Sequence, residues 1–472
     1  MLAPDCHFLD DEQDPKQAPP ERHWSFARAV VEVSLELFPS ARPVRRRISR
    51  GMSVFIQVAL VLIGVVAMLG RVPGIPAWDG VYAEDYGLFL PGALAHPWHL
   101  LVPYAGYVQL GPRLIAQFVT YLPLRDAAAA LAIVGALITC LCAVFIFHVS
   151  AGFIRSPWLR GLLALAVVLL PVAPLEIPDS AVDSPWYMMM ALFFALLWRP
   201  RTRTGMAIAA IIGFMTAASE VLVIVLVPLL LIRVIALQRV REHAVTLGWL
   251  AGCLIQLPYV LQGLGAASGS RVGRLATFPQ VNAFYGHDVV MAALGWQLSW
   301  QLRSLAGRDG AMLIVGAFLA IVFAYALITQ GRQVRAFLLA ALLTGYLETV
   351  VAGTLSWWVP ILAVTFNGEP GSRYTDLPIL LIDAALILTV DSFLRRTTIR
   401  PRAVGAVIAL IAVLCVGWIP DYRYRGNRSN ATNWPVTSAT WLQDCEHSPT
   451  GVIRVRTGGH QVYELPCSNL RR

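Results

Sequence analysis

The sequence predicts an all-α protein that crosses a membrane many times. Hydrophobic residues make up 57% of its 472 residues and charged residues only 14%, whereas soluble domains have about 45–50% and about 25%. Apolar stretches of helix-spanning length follow one another at short intervals, which leaves no room for a large soluble core. The net charge of +9 comes mainly from arginine clusters between those stretches. Such clusters indicate membrane topology, so we expect the lipid bilayer, and no nucleic acid, as a partner.

Polarity divides the chain into three parts. Residues 1–51 form a polar and then arginine-rich leader, which we assign to the cytoplasm; its middle, His23–Phe38, fits either an amphipathic surface helix or a disordered segment. Residues 52–419 contain the apolar stretches and form one transmembrane domain. Residues 420–472 are polar and form a small extracytoplasmic tail. Since the first apolar run starts only at Met52, we expect no cleavable signal peptide.

Seven apolar stretches have the length of one membrane-crossing helix, which needs about 20 residues with a range of about 17–25. Each is bounded by polar or charged residues, so each is predicted to cross once. The stretches are Met52–Gly70, Ala127–His148, Ala244–Leu261, Ala311–Thr329, Ala336–Trp357, Leu377–Asp391 and Ala403–Ile419.

Two further apolar stretches, Gly161–Trp198 and Gly205–Ile232, are too long for one ordinary span and contain polar or acidic residues. We predict that each is a hairpin of two short helices, because all the arginine clusters then fall on one side of the membrane. The total becomes about eleven crossings, with the N-terminus in the cytoplasm and the C-terminus outside a bacterial inner membrane. The segments Gly205–Ala218 and Val221–Ile232 are short and would need tilt or local thinning of the bilayer.

The predicted topology places two long loops and many carboxylates on the outer face. The loops cover residues 71–126 and 262–310. Within them, Tyr104–Leu122 and Val289–Leu305 alternate aromatic, aliphatic and polar residues at helical spacing, which predicts helices lying in the membrane surface. Carboxylates contribute little to membrane orientation, so their concentration on one face needs a functional cause.

The seven cysteines fall into different environments. Four of them, Cys140, Cys142, Cys253 and Cys415, lie in apolar stretches, where a thiol packs as a small hydrophobe. Cys445 and Cys467 lie in the polar tail, where an oxidising compartment favours a disulfide. We expect this bond to close the tail into a compact cap.

The segment from Trp78 to Leu90 carries the clearest chemical signal. An adjacent pair of carboxylates, Glu84-Asp85, is flanked by aromatic residues just beyond the first apolar stretch. Such a pair can supply one general base and one group that binds a cation or a sugar hydroxyl. The alternative is a solvated loop with two ordinary carboxylates.

This pair resembles the acidic motif in the first outer loop of the GT-C superfamily of integral membrane glycosyltransferases. The resemblance continues through Tyr107 and Gly111-Pro112-Arg113, through Glu176 to Trp186-Tyr187, and reaches Gly371-Ser372-Arg373-Tyr374. It covers most of the membrane domain in layout, although the second loop has Asp179, Asp183, Ser184 and Pro185 where Asn-type residues are expected. The resemblance implies a polyprenyl-phosphate sugar as donor.

Transfer from such a donor needs a base for the acceptor hydroxyl and a cation for the leaving phosphate. Either Glu84 or Asp85 can be the base, with a slight preference for Asp85. Arg373 can hold the phosphate through its guanidinium, with Arg113 as the second candidate. Arg373 and Tyr374 could equally be a snorkelling side chain and an interfacial aromatic. The predicted substrate-binding residues are Arg373, Tyr374, Arg113, Glu176, Asp183, Trp186 and Glu220.

Two other acidic positions have simpler interpretations. Glu220 lies between two short apolar segments with no basic neighbour, so it should face a cavity or be protonated. His287-Asp288 in the second long loop is expected to be a surface pair. No zinc-ligand spacing, phosphate-binding loop or dinucleotide motif occurs, so no cofactor is assigned and only a divalent cation stays open.

The sequence thus predicts an inverting glycosyltransferase that moves one sugar to an envelope glycan or lipid. The alternative is a transporter or flippase of a lipid-linked or polar substrate, which should have charges buried inside its spans and an internal repeat. A third candidate, an O-antigen ligase or polymerase, would depend more on basic loop residues. The concentration of carboxylates at one face favours the transferase.

Overall fold

The computed structural model describes residues 35–39, 49–71, 73–171, 173, 179–267, 276–355, 373–425, 429, 431–456 and 462–470. This part of the chain is mostly helical. Its α-helices are α1 (Arg50–Leu69), α2 (Leu90–Ala95), α3 (Leu110–Val119), α4 (Ala127–Val149), α5 (Pro157–Val168), α6 (Ser184–Leu197), α7 (Arg203–Ala217), α8 (Val227–Ala236), α9 (Ala244–Ala267), α10 (Phe278–Phe284), α11 (Trp296–Thr329), α12 (Arg332–Leu355), α13 (Arg373–Arg396), α14 (Arg400–Asp421), α15 (Trp434–His447) and α16 (Cys467–Leu470). Two antiparallel strand pairs accompany them, β1 (Gly80–Val81) with β2 (Thr432–Asn433) and β3 (Val452–Arg456) with β4 (Val462–Pro466).

Seven of the described helices are long and apolar enough to cross a membrane: α1, α4, α9, α11, α12, α13 and α14. They correspond, in order, to the seven stretches predicted as single crossings. Helices of this number and composition are those of a multi-pass membrane protein. Helix α13 is the central one, since nearly all its side chains between Thr375 and Ser392 are buried among its neighbours.

Each of the two longer apolar stretches is divided into two helices. The first gives α5 and α6, and the second gives α7 and then a 3₁₀ segment, Val221–Leu226, that continues into α8. Prolines in the first turns of α5, α6 and α8 favour helix starts at these places. Helices α5 to α8 have 12, 14, 15 and 10 residues, which is shorter than an ordinary span. The total of about eleven crossings therefore stays a prediction.

Several arginine-bearing helix ends converge at one end of the bundle, which we call the arginine end. The main-chain N–H groups of Arg155 and Ser156 donate to the carboxylate of Asp391 at 3.0 and 2.9 Å. The side chain of Arg395 bonds the same carboxylate. The ring of Trp198, at the end of α6, contacts Phe145 near the end of α4. The beginning of α5 and the ends of α4, α6 and α13 therefore meet here.

Two more arginines and part of the leader also lie at the arginine end. Arg199 pairs with Glu242 at 2.7 Å, and Arg233 donates to the main-chain carbonyl of Glu242. Of the leader's predicted helix, only residues 35–38 are described; Phe38 is buried there, and the guanidinium of Arg233 lies over its ring. The predictions for residues 1–34 and 40–48 lie outside the described residues.

The opposite end carries the loop between α1 and α4, with the C-terminal tail packed on it; we call it the acidic end. Strand β2 of the tail pairs with β1, and the fully buried Trp434 donates its indole N–H to the carbonyl of Leu124 at 2.6 Å. A disulfide joins Cys445 in α15 to Cys467 in α16, with 5.3 Å between the Cα atoms. The tail and the loop share one hydrophobic core.

The predicted surface helices are shorter than their sequence patterns indicated. In Tyr104–Leu122, only α3 is α-helical, because Tyr104 and Tyr107 pair across a turn in which Ala105 and Gly106 have φ values of 53° and 92°. In Val289–Leu305, Gly295 has a φ of 106° and separates a short 3₁₀ turn from α11. Because a positive φ lies outside the right-handed helical region, regular helix is interrupted at these residues.

Candidate functional site

Three charged side chains from distant parts of the sequence meet at the acidic end. The guanidinium Nη1 of Arg373 lies 3.8 Å from Oε1 of Glu84 and 3.8 Å from Oδ1 of Asp183. Arg373 begins α13, Asp183 immediately precedes α6, and Glu84 follows β1. Glu84 and Arg373 are 18% and 21% exposed, so both remain accessible, whereas Asp183 is buried. The site therefore combines one arginine with two carboxylates at the beginnings of two central helices.

The neighbouring carboxylate of Asp85 has a different role. Its Oδ2 accepts hydrogen bonds from the hydroxyl of Ser180 at 2.9 Å and from the main-chain N–H of Ala181 at 2.8 Å. Its Oδ1 accepts from the main-chain N–H of Val182 at 3.0 Å. Asp85 is 3% exposed. Because these three hydrogen bonds occupy most of the carboxylate's lone pairs, Asp85 is a structural tie between two loops.

Aromatic side chains surround the charged group. The hydroxyl of Tyr104 lies 3.5 Å from Oε1 of Glu84. The ring of Tyr374 stands perpendicular to that of Trp186, with 5.4 Å between the ring centroids, and the guanidinium of Arg373 lies 5.6 Å from the centroid of the same tyrosine. These contacts fix the rings in one arrangement, and cation–π attraction adds to the ion pairs in positioning Arg373.

Glu220 lies in the turn between α7 and the 3₁₀ segment and interacts electrostatically with Arg373. Its side chain is 4% exposed and its Oε1 accepts from the main-chain N–H of Leu222 at 3.1 Å, which caps the segment. Burial raises the pKa of Glu220 to about 7, although the Leu222 N–H, Arg373 and the Tyr107 hydroxyl each act to lower it. Glu220 therefore titrates near neutral pH beside the site.

Arg113 does not join Arg373. Its guanidinium lies 5.3 Å from the centroid of the Phe89 ring, and it acts electrostatically on Tyr463 of the tail. Burial lowers the pKa of Arg113. Among the described residues it forms no ion pair with a carboxylate. Arg113, the second candidate for holding the phosphate, thus lies between the first loop and the tail, whereas Arg373 contacts the carboxylates.

Two further predicted positions are accounted for separately. Glu176 lies outside the described residues. The expected surface pair His287-Asp288 is wrong, because both residues are buried and His287 contacts Asp309 in α11 instead, with 3.3 Å between Nε2 and Oδ1.

Two buried carboxylic acids inside spanning helices were not singled out from the sequence. Glu348 in α12 and Asp383 in α13 are fully buried, and neither side chain has a hydrogen-bond partner among the described residues. The signal was present, because each is an isolated acidic residue within a predicted crossing. Since a carboxyl group is costly inside a bilayer, such residues are functional candidates by default.

Comparison with protein-family models finds no match for this chain, and comparison with curated proteins finds no similar sequence. The candidate site therefore depends on its geometry and on the sequence resemblance given above. Within the described ranges, no group of three or more His, Cys, Asp or Glu side chains is arranged to hold a metal ion.

Proposed function

We propose that this protein is a membrane glycosyltransferase of GT-C type, which transfers one sugar from a polyprenyl-phosphate donor to a glycan or lipid of the cell envelope. The observation that carries the proposal is the meeting of Arg373 with Glu84 and Asp183. The resemblance requires the acidic motif of the first loop and the arginine before a late helix to act together, and these elements are far apart in the sequence. Their contact at one end of a membrane bundle supports the proposal.

Glu84 is the proposed base. It is partly exposed and accepts only a long hydrogen bond, from Tyr104, whereas the three donors around Asp85 keep that neighbour occupied. Glu84 takes the proton of the acceptor hydroxyl. At the same time, the oxygen of that hydroxyl forms a bond to the anomeric carbon of the donor sugar. The bond from that carbon to the phosphate oxygen breaks, and the electron pair leaves with the polyprenyl phosphate. A single displacement of this kind inverts the anomeric centre.

Arg373 is the proposed phosphate-binding group, and Asp183 is its positioning partner. A guanidinium has five N–H donors in a planar arrangement. It can therefore bond Asp183 and Glu84 on one edge and still present donors to a phosphate oxygen. Trp186 and Tyr374 provide flat apolar surface beside it.

The proposed topology has about eleven crossings, with the site and the C-terminus outside the bacterial inner membrane. Helix α13 supports it, because Asp391 near its end contacts the beginning of α5, whereas Arg373 at its start contacts Asp183 before α6. With 24 residues at about 1.5 Å each, α13 is long enough to cross the bilayer. The path from the beginning of α5 to the end of α6 therefore starts near one end of α13, approaches the other end before α6 and returns, which supports the first hairpin. The second hairpin is supported by Ser219, between α7 and α8, whose hydroxyl accepts from the main-chain N–H of Gly111 in the first loop at 2.8 Å.

Membranes that contain Glu84→Gln, Asp85→Asn or the double variant test the proposal directly. Each would be supplied with a panel of labelled polyprenyl-phosphate sugars and envelope acceptors, with the amount of folded protein measured alongside. We expect Glu84→Gln to reduce transfer by about 10²–10⁴-fold, the usual contribution of a general base. Full transfer by all three variants would overturn the proposal.

The second candidate function is a transporter or flippase of a lipid-linked or polar substrate. The specific observation in its favour is that Glu348 and Asp383 are buried inside spanning helices, as carboxylates of transport pathways are. Reconstituted protein distinguishes the candidates. A transporter moves labelled substrate across sealed vesicles without forming a new glycosidic bond, whereas the transferase forms that bond in detergent.

A further inference from the structure

A short turn brings Tyr104 beside Glu84. Tyr104 and Tyr107 pair across it, with main-chain N to O distances of 2.8 and 3.2 Å. Its central residues, Ala105 and Gly106, have φ values of 53° and 92°, and positive φ at both positions is typical of a type I′ turn. The Tyr104 hydroxyl lies 3.5 Å from Oε1 of Glu84. Both side chains are partly exposed, so a substrate can reach them.

The main chain just after this turn is held by the spanning helix α9. The side-chain amide of Gln256 accepts from the N–H of Val108 at 2.8 Å and donates to the carbonyl of the same residue at 2.6 Å. Gln256 and Val108 are both buried, and hydrogen bonds are stronger where water is excluded. The N–H of Gly111 donates to the Ser219 hydroxyl at 2.8 Å, which fixes the chain a second time. The position of Tyr104 therefore depends on residues outside its own loop.

Unfavourable backbone conformations lie on both sides of the contact between Tyr104 and Glu84. Ala83 immediately precedes Glu84 and has a φ of 47°. Ala105, with its φ of 53°, immediately follows Tyr104. L residues rarely adopt such values, and those that do cluster at active sites, where the surrounding contacts impose them. The strain therefore supports a functional role for this pair of side chains.

We propose that Tyr104 binds the acceptor and that Gln256 is the residue that positions it; this inference rests on the proposed transferase function. Glu84 takes the proton of the reacting hydroxyl, and the Tyr104 hydroxyl bonds the neighbouring hydroxyl of the same sugar. Two oxygens 3.5 Å apart can each form a hydrogen bond of about 2.8 Å to one of two adjacent hydroxyl groups. A sugar has such groups, whereas a lipid with a single hydroxyl does not. The site therefore selects a glycan or glycolipid as its acceptor.

The acceptor probes are octyl glycosides, which carry adjacent sugar hydroxyls, and octan-1-ol, which carries one hydroxyl. Each is supplied to the protein in lipid nanodiscs with the labelled polyprenyl-phosphate sugars, and we expect transfer to an octyl glycoside but not to octan-1-ol. Tyr104→Phe should lower kcat/KM for the glycoside about tenfold, the effect of one lost hydrogen bond, and leave the KM for the donor unchanged. Equal transfer to octan-1-ol, or full activity of Tyr104→Phe, would overturn the acceptor-binding role.

Gln256→Met tests the positioning role, because methionine has a similar size and forms neither of the two bonds. It should cause the same acceptor-specific loss. The double variant with Tyr104→Phe should be no worse than Tyr104→Phe alone, since both changes act through one hydroxyl. Gln256→Glu keeps an acceptor for the Val108 N–H, so it should retain more activity, and it provides a second measurement if Gln256→Met does not fold. Additive losses in the double variant would refute the positioning role.

Hydrogen exchange measures the same clamp without any transfer. Exchange in residues 104–108 should increase at least about tenfold in Gln256→Met, which loses both bonds, and stay unchanged in Tyr104→Phe. Unchanged exchange in Gln256→Met would remove Gln256 from the proposal. The matched controls are Gln262→Met and Tyr121→Phe, because these are exposed residues of α9 and of the first loop; they should change neither exchange nor transfer.

Glu84→Gln distinguishes a failure of this inference from a failure of the proposed function. If Glu84→Gln and its double variant with Asp85→Asn keep full transfer, the proposed function falls, and the acceptor role of Tyr104 falls with it. If Glu84→Gln loses transfer while Tyr104→Phe keeps its full kcat/KM for the octyl glycoside, the function stands and only the role of Tyr104 is wrong.

Discussion

The carboxylate of Asp85 accepts a hydrogen bond from the main-chain N–H of Val182 at 3.0 Å, although the two residues belong to different loops. This bond and its two neighbours fasten the first loop to the turn before α6. Glu84, the preceding residue, is thereby presented to Arg373, which lies beside the start of α6. Two adjacent carboxylates thus have separate tasks: one fixes the loop and the other faces the site.

The first prediction concerns this division. Asp85→Asn should lower the free energy of unfolding by about 1–3 kcal/mol, because the amide places a donor against N–H groups that need an acceptor. Glu84→Gln should leave stability nearly unchanged and remove activity. Chemical denaturation and transfer assays on the same preparations check both statements. A stable but inactive Asp85→Asn variant, together with an active Glu84→Gln variant, would reverse the assignment.

The second prediction concerns Arg373. Arg373→Lys keeps the positive charge but loses the planar donor geometry that carboxylate and phosphate recognition requires. We expect the KM for the polyprenyl-phosphate donor to rise at least about tenfold, the effect of about 1.4 kcal/mol of lost binding. Steady-state rates at varied donor concentration measure it. Arg454→Lys in the tail is the matched control, because Arg454 forms an exposed ion pair with Glu464 and such pairs contribute little.

Much of the fold was predictable because lipid imposes a simple rule. All seven stretches predicted to cross once became long helices, since every main-chain polar group in a bilayer must be bonded within the protein. The exact ends and breaks were less predictable. Gly295 and Gly307 interrupt helical backbone with positive φ values. Nothing in the sequence beside them distinguishes them from the glycines that remain inside helices.

The sequence predicted the contacts of the candidate site that side chains make. It did not predict the contacts that main-chain groups make. Arg373, Tyr374, Trp186 and Glu84 belong to short motifs, and the structure brings them together. The anchoring of Asp85 was missed, because two of its donors are main-chain N–H groups, which any residue would supply. The slight preference for Asp85 as the base came from the resemblance to GT-C enzymes, whose base is most often an Asp; Glu84 is the base proposed above instead. The contact of Arg113 with Phe89 also depends on tertiary packing that the sequence does not specify.

The third prediction concerns the tail as a support for the first loop. Trp434 is fully buried, bonds the carbonyl of Leu124 through its indole, and its main-chain N–H donates to the carbonyl of Asp79 near β1. Trp434→Ala should cost about 3–5 kcal/mol of stability, as other large-to-small core changes do. Hydrogen exchange around Gly80 and Val81 should increase. The exposed Val436→Ala variant in the same helix is the control.

The fourth prediction is a pH dependence of stability. The pKa of Glu220 rises from an ordinary value of 4.5 to about 7 in the folded protein. The folded state therefore binds more protons than the unfolded state between these values, and the contribution of this group to stability is present at low pH and is lost as the pH rises through about 7. Glu220→Gln should flatten this decline, whereas Glu446→Gln should not. Thermal unfolding in nanodiscs from pH 5 to 8 measures it, and identical profiles for all three proteins would contradict it.

The last prediction concerns topology, and a reporter at the C-terminus alone cannot test it. Seven crossings and about eleven crossings both place Arg472 outside, because each short hairpin adds two passages. The informative positions are the turns of those hairpins.

Alkaline phosphatase, which is active only outside, should therefore be active when fused after Glu220 or after Arg472 and inactive when fused after Arg201 or Arg241. A fluorescent protein that matures only in the cytoplasm should give the opposite pattern. Activity after Arg472 with inactivity after Glu220 would leave α7 and α8 on the cytoplasmic side. It would separate Ser219 from the first loop by the thickness of the membrane, against the 2.8 Å hydrogen bond from the N–H of Gly111 to the Ser219 hydroxyl.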